Sequence, residues 1–169
     1  MKIEYPPDFL SILKNKHLLL DTNVFIEAFA APSEFGKFFN KLKDSDVTVV
    51  TLRLVEVEFL RGAASRSKQN EKKKFMDDIV DTYLPMPLDF VDDVLLVMER
   101  LGNDSKASSV TDLVLGSSLA KYKNGLFLMT KDLSDFPTNV FERISYMNLL
   151  KPKAIHTFGI YSKFKTATE

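Results

Sequence analysis

The 169-residue sequence predicts an α/β fold built on a largely parallel sheet. Short apolar runs at residues 18–20, 47–50 and 126–129 are typical of buried strands. Longer stretches with apolar residues at helical spacing separate these runs, as expected for strand–helix–strand units. Hydrophobic residues make up 45% of the chain, which is enough for a sizeable core. We therefore predict one domain over residues 1–169, with its core at about residues 17–150.

In the first half of the chain, each predicted strand is followed by two predicted helices. The strand at residues 18–20 precedes helical spacing up to Pro32 and a second short helix that contains Phe35, Phe38 and Phe39. Core packing is the favoured role of these three rings, and a dimer or antitoxin surface is the alternative. The β-branched run at residues 47–50 is followed by predicted helices at residues 52–67 and 70–83.

The second half contains two further helices and two strands. A helix is predicted at residues 89–101, and its inner face is expected to carry Val91, Val94, Leu95 and Met98. A helix rich in small residues at residues 110–122 precedes the strand at residues 126–129. Residues 131–137 are expected to form a loop because Pro137 disfavours helix at Phe136. Residues 144–149 are predicted as a last strand, and residues 151–169 are expected to pack without an assigned position.

Composition excludes several classes of protein. The 23 basic and 23 acidic residues give a net charge of zero, so no global positive field attracts nucleic acid. The absence of cysteine excludes disulfides and thiolate metal sites, and two histidines far apart in sequence disfavour zinc. No stretch approaches the roughly 18 apolar residues of a membrane span. We expect a soluble, cytoplasmic protein.

Four acidic residues lie near the ends of the predicted elements. Asp21 and Asp132 follow the first and third strands, Glu58 lies on the helix after the second strand, and Asp112 begins the small-residue helix. Because parallel strands open their carboxyl ends on one edge of the sheet, the four side chains can converge there. Clustered carboxylates repel one another, and a hard divalent cation such as Mg²⁺ or Mn²⁺ relieves the repulsion. The pattern favours a metal site suited to phosphate chemistry.

Each acid also has a purely structural interpretation. Asp21 is suited to cap a helix or form an Asx turn, and Asp112 is suited to the first turn of its helix, next to Ser109 as a cap. Glu58 would be a solvated acid on a helix face, and Asp132 and Asp135 would be ordinary turn residues. Asp21, Glu58, Asp112 and Asp132 together are harder to explain in this way than any one of them.

The helix after the second strand offers two acids, Glu56 and Glu58. Residues two apart do not share a helix face, so only one of the two can point into the site. Glu58 is favoured because Gly62 lies one turn later, where the missing side chain would permit a close approach.

Four motifs follow one another along the chain. They are an apolar strand ending in Asp-Thr-Asn, a strand followed by a helix with Glu four residues before Gly, Thr-Asp opening a small-residue helix, and a strand followed by Thr, Lys, Asp and later Asp-Phe. They lie at residues 18–26, 47–62, 111–120 and 126–136. In these motifs the sequence resembles the PIN domain, a nuclease family that includes the toxins of VapBC-type toxin–antitoxin pairs. The chain departs from the family pattern at residues 116–118, where Gly-Ser-Ser replaces alanines, and in its extensions at both ends.

The resemblance implies a three-layer α/β/α sandwich and metal-dependent hydrolysis of RNA. The implied catalytic and metal-binding residues are Asp21, Glu58, Asp112 and Asp132, with Mg²⁺ or Mn²⁺ as cofactor and Asp135 as an additional ligand. Asn23 and Thr130 would orient these ligands.

The resemblance also points to basic residues near the acids as RNA contacts. Arg61, Arg66 and Lys131 are the favoured candidates, and Lys68, the lysines at residues 72–74 and Lys106 on the rim are further ones. The implied partners are an RNA substrate, an antitoxin protein and a second copy of the chain.

Two other functions remain open at this point. A catalytically idle PIN-like module would bind RNA or protein without cleaving it. A haloacid-dehalogenase-like phosphohydrolase also begins with a strand and an aspartate, but it needs a second acid two residues later, where this chain has Asn23.

Overall fold

The computed structural model describes residues 1–86, 90–103 and 108–165. In chain order its elements are β1 (Lys2–Glu4), α1 (Phe9–Leu13), β2 (His17–Leu20), α2 (Thr22–Ala30), α3 (Pro32–Asp44), β3 (Thr48–Thr51), α4 (Arg53–Arg61), α5 (Arg66–Ile79), β4 (Thr82–Tyr83), α6 (Phe90–Leu101), α7 (Val110–Tyr122), β5 (Leu126–Thr130), β6 (Phe141–Lys151) and β7 (Ala154–Phe164).

All the described strands join one seven-stranded sheet in the order β1-β6-β7-β5-β2-β3-β4. Strands β2, β3, β4 and β5 run parallel, whereas β1, β6 and β7 pair antiparallel. The predicted three-layer α/β/α sandwich is confirmed. No helix in the described ranges is long and apolar enough to cross a membrane.

The sheet reverses its direction of growth between β2 and β5. From β2 the chain extends outward through β3 and β4, then returns to add β5 on the other side of β2. Three of the four residues of β2 and every residue of β5 are buried, as expected for parallel strands covered on both faces. Ligands of such sheets bind at this reversal, outside the carboxyl ends of the strands. Asp21 directly follows β2, and Asp132 lies two residues beyond β5.

The predicted helix at residues 70–83 is too long. Helix α5 ends at Ile79, and Tyr83 lies in the short strand β4 opposite Thr51. Asp81 turns the chain into the sheet: its backbone N–H donates to Val49 O at 2.9 Å, and its Oδ2 accepts from Val49 N–H at 2.7 Å.

The predicted inner face of the helix at residues 89–101 is wrong at three of its four residues, and Val94 alone packs against the core. Val91, Leu95 and Met98 are exposed, and the buried residues of α6 are Val97 and Leu101. Helix α6 packs closely against α7 at Gly116. A Cβ at this position would lie 3.2 Å from Val97 Cγ1, so the missing side chain makes room for Val97. The helix is apolar on several faces, and this contact selects one of them. Asp89, the predicted first residue, lies outside the described residues.

Both ends of the chain contribute to the sheet. Strand β1 pairs with β6, and the unassigned tail forms β7, which lies between β5 and β6. The predicted strand at residues 144–149 is part of the longer β6. Phe35, Phe38 and Phe39 are buried in the core, so the surface alternative for these rings is wrong.

Candidate active site

Asp21 lies at the centre of a hydrogen-bonded group at the end of β2. Its side chain is buried, with 4% exposed. Oδ1 accepts from the Thr22 backbone N–H at 2.5 Å, and Oδ2 accepts from Thr130 Oγ1 at 2.7 Å and from Asn23 Nδ2 at 2.5 Å. Asp21 is also the N-cap of α2, so the capping interpretation describes part of its geometry.

Asn23 and Thr130 connect the ends of β2 and β5. Asn23 Nδ2 donates to Thr130 Oγ1 at 3.0 Å, and Asn23 Oδ1 accepts from the Lys131 backbone N–H at 2.8 Å. Thr130 Oγ1 also accepts from the Asp132 backbone N–H at 3.0 Å. These bonds fix the backbone that carries Asp132 relative to Asp21.

Glu58 is held by two hydroxyl groups from other elements. Thr22 Oγ1 donates to Glu58 Oε2 at 2.7 Å, and Thr111 Oγ1 donates to Glu58 Oε1 at 2.7 Å. The carboxylate therefore joins α4 to the first turns of α2 and α7. Thr22 and Thr111 were not predicted as site residues, although each is next to a predicted aspartate.

Glu56 points to a different set of partners. It forms an ion pair with Arg53 at 2.6 Å within α4, and a second one with Lys73 at 2.9 Å joins α4 to α5. Among the described protein atoms, none approaches Gly62 unusually closely, because a Cβ there would meet Lys72 Nζ at an ordinary 3.5 Å. Of the two acids, the structure brings Glu58 to the Asp21 group.

Asp112 closes the first turn of α7. Its Oδ2 accepts from Ser109 N–H at 3.0 Å and from Ser109 Oγ at 2.5 Å, while Ser109 Oγ accepts from Asp112 N–H at 3.1 Å. This is a capping box, so the structural interpretation of Asp112 is observed. The capped carboxylate is still within electrostatic reach of other acids. Burial raises the pKa of Asp112, and the charges of Asp132 and Glu58 raise it further.

The loop after β5 adds two acids. Asp132 is exposed, and its Oδ1 accepts from Ser134 Oγ at 2.9 Å. Burial, followed by the charges of Asp112 and Asp132, raises the pKa of Asp135 to about 6. Asp135 is thus within electrostatic reach of both residues.

Among these acids, Asp21 has the most strongly raised pKa that the structure indicates. Burial raises the pKa of Asp21 to about 7, and the charges of Asp112 and Glu58 add to the rise, although hydrogen bonds from Thr130 and Thr22 oppose it. Mutual repulsion links all five selected acids: Asp21, Glu58, Asp112, Asp132 and Asp135. The arrangement stores unfavourable charge at one edge of the sheet.

The chemistry of these donors fits a hard divalent cation. All five are carboxylates, which Mg²⁺ and Mn²⁺ prefer, and a cation would relieve their repulsion. Within the described ranges, no three acidic or histidine side chains are positioned to hold one ion as they stand. Both oxygens of Glu58 and both oxygens of Asp21 are engaged by protein donors, so these groups must exchange or share hydrogen bonds to bind directly.

The selected basic residues have different surroundings. Arg61 and Arg66 are exposed, and Arg66 donates to Gln69 at 2.9 Å. Lys131 forms an ion pair with Glu27 at 2.9 Å.

The lysines at residues 72–74 each form contacts within the protein. Lys72 donates to Phe59 O at 2.7 Å, Lys73 pairs with Glu56 and Asp77, and Lys74 pairs with Asp78. Lys106 lies outside the described residues.

A protein-family model described as PIN domain matches residues 18–136. The matched range is well over half of the chain and contains all five acids. No curated protein and no solved structure matches the chain.

Proposed function

Because the chain belongs to the PIN domain family, we propose that it is a divalent-metal-dependent endoribonuclease. PIN domains are in general nucleases that use divalent metal ions and bind nucleic acid. The observation that most supports the proposal is the electrostatic coupling of five carboxylates at the sheet reversal. Repulsive charge of this kind is typical of functional sites.

Asp21, Glu58, Asp112 and Asp132 would hold Mg²⁺ or Mn²⁺, with Asp135 as an additional ligand. A bound divalent ion lowers the pKa of a coordinated water and stabilises negative charge on a phosphate undergoing hydrolysis. Asn23 and Thr130 hold the Asp21 carboxylate, and Thr22 and Thr111 hold Glu58. Such orienting bonds matter because ligating carboxylates need a fixed geometry.

The acids alone would repel an RNA backbone, so the substrate needs cations at the rim. Arg61 and Arg66 are exposed at the end of α4 and the start of α5, on the chain segment that leads away from Glu58. Arginine contacts to phosphate position a backbone without reading its sequence. We assign this role to both residues and to Lys131, which would exchange Glu27 for phosphate.

The role of such a nuclease in the cell is part of the proposal. PIN nucleases can act as toxins that a small antitoxin neutralises, and a short neighbouring gene for a DNA-binding antitoxin would support that role here. We further propose that the protein acts in the cytoplasm.

The decisive test is hydrolysis of end-labelled single-stranded RNA with Mg²⁺ or Mn²⁺. Asp21→Asn should reduce the cleavage rate roughly 1,000-fold, because losing a metal ligand removes several kcal/mol of transition-state stabilisation. Asp92→Asn removes the same charge from an exposed position on α6 and is the matched control.

Cleavage that does not need a metal, or that survives Asp21→Asn, contradicts the proposal. RNA binding without cleavage by the wild type favours the catalytically idle module instead.

A further inference from the structure

Strands β6 and β7 carry an open groove outside the residues that the family model matches. Its volume is about 340 Å³, and it is lined by Arg143, Tyr146, Asn148 and Thr157. All four lie beyond residue 136, where the family match ends. The volume falls within the range of roughly 300–1,000 Å³ that is usual for ligand sites.

The sheet register places this groove beside the proposed active site. Tyr146 is paired with Gly159, and Gly159 is paired with Thr130, the last residue of β5. Asn148 and Thr157, paired with each other, lie two residues further along, beyond the carboxyl end of β5. The groove therefore crosses the same edge of the sheet at which the acids lie.

The loop that carries Asp132 contacts this pair of strands. A Cβ at Gly159 would lie 3.0 Å from Leu133 Cδ2 and 2.6 Å from Tyr161 Cε2. The missing side chain at Gly159 lets Leu133, the residue after Asp132, approach β7. The active-site loop and the strands of the groove are in direct contact.

The lining residues offer three kinds of contact to a nucleotide. Tyr146 is 47% exposed and forms no ring contact with the described residues, so its face is open for stacking. Arg143 is exposed and positively charged. Thr157 Oγ1 donates to Asn148 Oδ1 at 2.8 Å, which fixes the amide and leaves its N–H₂ group to donate to a ligand.

An unsatisfied polar atom lies next to the groove. Tyr161, paired with Arg143 in the ladder, is fully buried, and its hydroxyl has no hydrogen-bond partner within the described residues. Burial raises the pKa of Tyr161; Arg143 opposes this rise and Asp132 adds to it. The charges of a groove residue and of an active-site acid therefore both act on this buried hydroxyl.

We propose that this groove binds a nucleotide of single-stranded RNA, with Tyr146 stacking on the base, Arg143 contacting a phosphate and Asn148 donating to the base edge. The choice of RNA rests on the proposed ribonuclease function. Exposed aromatic residues on antiparallel sheets bind unpaired bases in this way, whereas bases inside a duplex are not accessible to them. The groove would hold the strand next to the bond that is cut.

The first test measures binding without cleavage. A fluorescein-labelled oligouridine of about twelve nucleotides is titrated with the full chain in EDTA, and anisotropy is recorded. Tyr146→Ala should weaken binding roughly tenfold, the loss expected for one stacked base, whereas Tyr146→Phe should bind like the wild type. Tyr122→Ala is the matched control, because Tyr122 is exposed at the opposite end of the sheet, before β5 begins.

The second test places a spectroscopic reporter in the groove. The chain contains no tryptophan, so Tyr146→Trp creates a single selective fluorophore. Oligouridine should quench its emission, an abasic strand of the same length should quench it much less, and Tyr122→Trp should respond to neither. Quenching by the abasic strand to the same extent would overturn the stacking assignment.

Failure of this inference is distinguishable from failure of the proposed function. If the wild type cleaves RNA but Tyr146→Ala binds as tightly as the wild type, the groove assignment is overturned and the nuclease stands. If Tyr146 is needed for binding but no metal supports cleavage, the groove assignment stands and the nuclease fails. Stronger binding to a duplex competitor than to the single strand would also overturn the groove assignment.

Discussion

Thr22 donates its hydroxyl to Glu58 at 2.7 Å, across 36 residues of sequence. The bond joins the first turn of α2 to α4, and Thr111 repeats it from α7 on the other carboxylate oxygen. A carboxylate held at both oxygens has one orientation, which is what a proposed metal ligand requires. These two threonines are therefore the part of the site whose function can be tested apart from the acids.

Thr22→Val should reduce RNA cleavage roughly 10- to 100-fold, the usual cost of removing a group that orients a ligand. The substitution keeps the shape of the side chain but removes the donor to Glu58. Thr22→Ser restores a hydroxyl and should recover most of the rate. Rates at saturating Mn²⁺ are the measurement, and an unchanged rate for Thr22→Val would show that Glu58 needs no such support.

Glu56 and Glu58 provide a matched pair on one helix. Glu58→Gln should lower the cleavage rate by two or more orders of magnitude, since a neutral amide is a poor metal ligand. Glu56→Gln breaks ion pairs with Arg53 and Lys73 but leaves the site intact.

The two variants should separate activity from stability. Glu56→Gln should cleave RNA normally and lose about 1 kcal/mol of stability, because its partners are partly exposed. Chemical denaturation and cleavage assays on both variants check this. The reverse pattern would assign the site to Glu56.

The carboxyl ends of the parallel strands were easier to predict from sequence than the strands that pair with distant segments. Asp21 and Asp132 follow apolar strands, and the carboxyl edge of a parallel sheet follows from that pattern alone. Capping and site geometry then coincide at Asp21 and Asp112, so the two interpretations of these residues do not compete. A local sequence pattern is enough to predict the position of a residue that directly follows a parallel strand.

Elements fixed by distant partners were harder to predict. The position of β7 between β5 and β6 depends on pairings more than 20 residues away, such as Thr130 with Gly159. Tyr83 continues a helical pattern, but hydrogen bonds between Asp81 and Val49 turn the chain into a strand. Tertiary contacts override local preference at both places.

The contacts of Glu27 should make the stability of the protein depend on pH. Its side chain is 5% exposed, and it contacts Lys131 at 2.9 Å, Lys151 at 2.6 Å and His156 at 2.6 Å. Burial alone would raise the pKa of Glu27, but hydrogen bonds from these three groups outweigh it and lower the pKa to about 2.

Because the folded-state pKa is depressed, the stability that Glu27 contributes is present above pH 4.5 and is lost as the pH falls toward 2. Glu27→Gln should therefore cost about 3 kcal/mol at pH 6 and little near pH 2, from the size of the shift. Urea melts of both proteins across this range are the measurement. An equal loss at every pH would mean that the lost contacts are not ionic.

For Asp135 we expect the opposite of the Glu27 result: removing this carboxylate should stabilise the protein. Its pKa is raised from 3.8 to about 6, so its ionisation opposes folding. The resulting loss of stability is absent below pH 3.8, grows between pH 3.8 and 6, and is complete above pH 6. Asp135→Asn should raise the stability of the metal-free protein by about 1 kcal/mol at pH 7, discounted for its partial exposure, and by little at pH 3.5. Asp92→Asn should leave the stability unchanged at both pH values.

The same variant tests whether Asp135 binds the metal ion. In saturating Mn²⁺ the wild type should gain more in melting temperature than Asp135→Asn does, because the variant has one fewer carboxylate to bind the ion. An equal gain in both proteins would remove Asp135 from the proposed ligands while leaving its repulsion with Asp112 and Asp132 as the cause of the shift.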